Sequence, residues 1–97
     1  MELQFEGEII FWRGPSPFHF VEVPPDQSDQ LRAVSGMVSY GWGVIPVVSQ
    51  IGSTRWKTSL FPKGEAYLVP VKSAVRLSEQ LEIASFVDVR LVIEGVR

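Results

Sequence analysis

The strongest constraint on this chain is a period-two alternation of apolar and polar residues, interrupted by turn formers at short intervals. Leu3, Phe5, Ile9 and Phe11 alternate with Gln4, Glu6 and Glu8, and Gly7 falls on the apolar side. Such alternation marks a strand with one buried face. A glycine in mid-strand suggests a bulge or bend of the kind small barrels use to close. Gly14-Pro15-Ser16-Pro17 is a turn cluster. Phe18 to Val23 then reads as the returning strand of a hairpin, stopped by Pro24-Pro25.

One helix is expected from about Pro25 to Ser35. Pro25 suits a first helical position, where its missing N–H is no loss. Asp26 and Asp29 lie toward the positive end of the helix dipole and Arg32 toward the negative end. Gly36 fits a C-terminal cap. Four more strands follow: Val44 to Ile51, Ser53 to Phe61, Ala66 to Val71, and one carrying Val87, Val89, Leu91 and Ile93. Pro46 requires an edge or a bulge. Pro62-Lys63-Gly64 reads as a hairpin turn, and Ser73 to Leu81 as a short helical turn at most. Six short strands and one short helix after the first hairpin predict a mainly β fold. The expected form is a small six-stranded barrel, closed or split, filling one domain over residues 1–97.

The residue inventory excludes much chemistry. With no cysteine and one histidine, no disulfide, thiolate or His-rich metal site is expected, and no cofactor is implied. No dinucleotide fingerprint, phosphate loop or nucleophile elbow is present. His19 is read as a surface or rim residue, and Glu6 and Glu8 as an acidic solvent-facing row. The start lacks the basic and apolar regions of a secretory signal. The longest apolar runs, such as Val44 to Val48, fall far short of the roughly 20 residues a membrane helix needs. A soluble, cytoplasmic chain is expected.

Charge order says more than the net charge of -2. Residues 1–30 carry Arg13 against six carboxylates; residues 31–76 carry six cations against Glu65 alone; residues 77–97 turn acidic again. The candidate binding site therefore falls in the middle block: Arg55, Lys57, Ser59, Lys63, Lys72 and Arg76, with Tyr40 and Trp42 at its lip. Cations beside rings suit an anion site or a single-stranded nucleic-acid groove. Pairing of these cations with the acidic first strands is the alternative. At least two of the three tryptophans are expected in the core.

Tyr40-Gly41-Trp42-Gly43-Val44-Ile45-Pro46-Val47, the run Thr58-Ser59-Leu60-Phe61-Pro62-Lys63-Gly64, and Pro70-Val71-Lys72 with Val75-Arg76 resemble an uncharacterised family of small bacterial β-barrel proteins. That family is also similar to the N-terminal part of bacteriocin-protection (YdeI/OmpD-associated) proteins. The likeness covers nearly the whole chain and implies a barrel without an established activity. Its pattern often has Gly-Asp before the last strand, where this chain has Ala84-Ser85. Three functions follow as expectations. The first is a non-enzymatic barrel binding a small anionic ligand or a protein partner. The second is a nucleic-acid-binding regulator. The third is an enzyme using His19. A homodimer through edge strands or the Trp42 loop is compatible with each.

Overall fold

The computed structural model describes residues 1–14, 18–38 and 43–95; Tyr40 and Trp42 lie outside them. Seven strands and two helices follow in the order β1 (Glu2–Glu8), β2 (Ile10–Trp12), β3 (Phe18–Glu22), α1 (Pro25–Val38), β4 (Ile45–Ile51), β5 (Thr54–Lys63), β6 (Ala66–Val71), α2 (Ser73–Glu79) and β7 (Phe86–Val92). They form one antiparallel sheet in the order β1-β7-β4-β5-β6-β3-β2.

The fold is mainly β, as expected, but it is a curled half-barrel and not a closed six-stranded barrel. The seventh strand arises because the first run of alternation breaks at Ile9. Its first half pairs with β7 and its second half with β3. The two edges of the sheet are thus consecutive in sequence, and the sheet has to curl to bring them together. At the seam, a Cβ on Gly7 would lie 2.7 Å from Val21 Cγ1, a distance real side chains do not adopt. Gly7 therefore serves close approach of backbone to side chain.

The helix α1 lies beside this seam and extends three residues past its expected end, so Gly36 sits inside it and caps nothing. Gln27 Nε2 donates to the Gln4 carbonyl of β1 at 2.9 Å. Fully buried Ser28 donates to the Val23 carbonyl at 3.0 Å and accepts from the Tyr67 amide of β6 at 3.3 Å. One helical turn thus ties β1 to the β3–β6 side. A second helix, where at most a helical turn was expected, buries Val75 in the core. Its Glu79 accepts from Thr54 Oγ1 at 2.6 Å, anchoring α2 to the β4–β5 hairpin.

All three strand prolines obey the missing N–H: Pro62 pairs with Tyr67 of β6, beyond the end of the β4–β5 ladder at Leu60. Pro46 pairs with Ser59 of β5, but the β4–β7 ladder starts only at Val48. Pro70 pairs with Phe20 of β3, while the β5–β6 ladder ends at Leu68. Each proline sits where one neighbour has left. The β5–β6 turn is Gly64-Glu65, one step beyond the expected Pro62-Lys63-Gly64, with Gly64 at a left-handed φ of 59°. Ala84 takes φ 72°, a conformation glycine adopts more readily. Ser85 supports that turn by accepting the Glu82 amide on its Oγ at 3.0 Å.

The concave side holds the core: Leu3, Phe5, Ile9, Val21, Ile45, Trp56, Leu60, Val69, Val89 and Leu91 are all buried in one cluster. Of the two described tryptophans, Trp56 is core and Trp12 is not. Among the described residues, no helix is long and apolar enough to cross a membrane.

Candidate functional site

Strand parity decides which expected site residues meet. On β5, Trp56 and Leu60 are buried inward, so Arg55, Lys57, Ser59, Phe61 and Lys63 face outward. Arg55 and Lys57 share a face as expected, but the rings of Trp56 and Tyr67 are buried on the other side of the sheet. Lys72 caps the start of α2, and Arg76 lies within it. The guanidinium of Arg76 donates to Ser73 Oγ at 3.2 Å. Because α2 buries Val75 in the core, Arg76 approaches the sheet from the inner side, away from the outward row of β5.

The outer face divides into two halves. Over β2, β3, β6 and the end of β5 it is apolar. Ile10 and Trp12 pair with Phe20 and Phe18, Phe20 pairs with Pro70, and Leu68 pairs with Phe61. All these residues therefore point outward. Phe18 meets Trp12 edge-on at 5.4 Å between ring centroids, and Phe20 at 5.4 Å. Of these, Trp12, Phe18, Phe61, Leu68 and Pro70, with Pro62 and Lys63, line an open groove of about 610 Å³. Trp12 is 46% and Phe61 45% exposed. The Lys63 ammonium lies 5.4 Å from the Trp12 ring centroid, a cation–π distance. Among the described residues it is the one charged group lining this groove. Gly14 supports the wall: a Cβ there would lie 2.7 Å from the Trp12 ring.

Lys63 was expected at the site, whereas Trp12, Phe18, Phe61, Leu68 and Pro70 were not. A signal was present. Tyr67-Leu68-Val69-Pro70-Val71 is apolar at every position, which marks a strand covered on both faces.

The other half of the outer face, over β1, β7, β4 and β5, is mainly polar, although Val48, Phe86 and Val92 also point outward there. Glu2, Gln4, Glu6 and Glu8 line β1, with Asp88 and Arg90 on β7, Gln50 on β4 and Arg55 and Lys57 on β5. Among the described residues the one ion pair is Arg32–Asp29 on α1. Direct pairing of the β5 cations with the acidic first strand, the alternative raised by the charge order, is not formed.

His19 faces inward, opposite Phe18 and Phe20. Its ring lies 4.7 Å from that of Phe11. Burial and then the positive charge of Arg76 hold its pKa below the usual 6.5. Protonation is thus harder in the folded state than in the unfolded chain, so folding stability falls as pH drops through 6.5 toward the lowered value. Urea midpoints between pH 7.5 and 5.5 should show a decline that His19→Gln reduces; an unchanged slope in that variant would refute the assignment. Among the described residues no carboxylate hydrogen-bonds His19, and no group of three or more His, Asp and Glu side chains gathers as a metal site.

Fold and surface together define a mainly β half-barrel domain with a filled inner side and a partly apolar outer face. Comparison with known families then places the chain more closely. It belongs to the family described as Domain of unknown function (DUF1905), matched over residues 5–91, a span that takes in both halves of the outer face. No curated protein matches the chain.

Proposed function

We propose that this domain is a non-enzymatic binding module whose site is the aromatic groove on the outer face. Its ligand is a small anion with an apolar or aromatic body. The observation that carries this reading is a cation over an exposed ring: Lys63 stands beside Trp12 in a groove whose other described lining residues are apolar. The volume of about 610 Å³ lies in the range of small-molecule sites. The core is complete on the inner side, so packing does not account for these outward rings. Arg55, Lys57 and Ser59 lie on the same outward face of β5, and the two cations among them extend positive potential toward the groove. The acidic row of β1 disfavours a nucleic-acid partner, and His19 without a carboxylate disfavours an enzyme.

Titration with 1-naphthalenesulfonate and with neutral 1-naphthalenemethanol, followed by the Trp12 indole N–H signal in NMR, tests the reading. The sulfonate should bind saturably. Lys63→Met should weaken it about fivefold while barely changing the neutral compound, as expected for one partly exposed ion pair. Phe61→Ser should weaken both. Absence of saturable binding, or equal affinity in Phe61→Ser, sinks the proposal.

A further inference from the structure

We propose that the polar half of the outer face carries a second, separate site, in which a phosphate-type oxyanion is held between Arg55 and Arg90 above Gln50. Cross-strand register builds it. Gln50 of β4 is directly opposite Arg55 of β5 on one side and Arg90 of β7 on the other. All three side chains point outward. Adjacent strands lie about 4.8 Å apart, so the two arginine backbones are separated by roughly 10 Å. An extended arginine spans more than half of that gap, and both guanidinium groups reach the space over Gln50.

The surroundings leave these cations available. Among the described residues neither arginine is in an ion pair. Asp88, two residues before Arg90 on β7, accepts a hydrogen bond from Gln4 Nε2 at 2.9 Å. Glu2 lines the same depression as Arg55, Gln50, Arg90, Val48 and Val92, which leaves the two arginines in excess by one charge. Gln50 Nε2 donates one hydrogen to the Gly52 carbonyl at 3.0 Å, which fixes the carboxamide and leaves its second amide hydrogen to donate elsewhere. Two planar guanidinium forks and one amide N–H make a donor-rich set, with the Glu2 carboxylate and Gln50 Oε1 as the acceptors beside it. Such a set matches an anion with three or more terminal oxygens better than it matches a single carboxylate. The depression is about 170 Å³, which suits a headgroup-sized anion and not an extended ligand.

Inorganic phosphate at constant ionic strength, balanced with sodium chloride, is the direct probe. The Arg55 and Arg90 Nε–H signals and the Gln50 side-chain amide should shift saturably. Arg55→Gln and Arg90→Gln should each weaken binding about tenfold, as loss of a charged hydrogen-bonding partner implies. Arg32→Gln, a cation on α1 outside the depression, should change it less than twofold. Vesicles containing phosphatidate form a parallel arm that separates a lipid headgroup from free phosphate. Phe61→Ser leaves this site intact, so failure here and failure of the aromatic groove are told apart. Non-saturating shifts spread over all surface cations, unchanged affinity in Arg90→Gln, or vesicle binding without saturable phosphate would each overturn the proposal.

Discussion

Trp56→Ala is expected to destabilise the fold by about 3–5 kcal/mol, the range for deleting a large buried ring. Domains of this kind have only about 5–15 kcal/mol in total, so the variant should be close to unfolding at room temperature. The position explains the size of the effect. Trp56 is buried on the inner side of β5, opposite Ser49 of β4. Its indole N–H donates to the Pro70 carbonyl at 3.2 Å. That carbonyl belongs to the part of β6 that has already parted from β5, since their ladder covers only Phe61–Lys63 and Ala66–Leu68. The ring thus fills the opening between two diverging strands and satisfies a polar group there. Trp56→Phe separates the two roles: it keeps most of the apolar bulk, loses the hydrogen bond, and should cost about 1–3 kcal/mol. Urea denaturation followed by circular dichroism reads both. A loss below 1 kcal/mol in Trp56→Ala would mean that something else holds the split.

The same divergence explains what the sequence could and could not disclose. Alternation locates a strand and its buried face, so Leu3, Phe5, Ile9 and the last strand's Val87, Val89 and Leu91 were legible one by one. The proline rule was legible too at Pro46, which needs a neighbour to be missing. Which neighbour departs is a property of the sheet order, and sheet order is set by contacts remote in sequence. Hence one strand was expected where the break at Ile9 makes two. Trp12 shows the limit of arguing from size. A large ring is an efficient core filler, but parity puts Trp12 on the outer face once Phe11 and Ile9 face inward.

Charge is subject to the same limit. The cation-rich block of residues 31–76 is real, yet a block has no face. Parity on β5 sends Arg55 and Lys57 outward, whereas Lys72 and Arg76 travel with α2 to the inner side. Arg90, by contrast, sits in an acidic stretch and draws no notice there. Only the register β7-β4-β5 brings it beside Gln50 and Arg55.

The seam offers the second large effect. Gly7→Ala should cost about 1–3 kcal/mol, the usual range for inserting a methyl group into filled space. The added Cβ would meet Val21 Cγ1 at 2.7 Å, and Val21 is fully buried. Neither partner has an easy retreat. Gly7 is held in register opposite Val87 of β7, and Val21 opposite Val69 of β6. If the clash is the cause, its removal should be visible in a double-mutant cycle. Val21→Ala alone opens a cavity and destabilises. In the background of Val21→Ala, however, the new methyl of Gly7→Ala enters the space the valine has vacated, and its cost should shrink or change sign. The coupling energy should therefore be favourable by about 1–2 kcal/mol, within the range for residues in contact. Additive losses in the cycle would show that β1 and β3 do not meet here, and that the sheet curls less tightly than the contact between its edges requires.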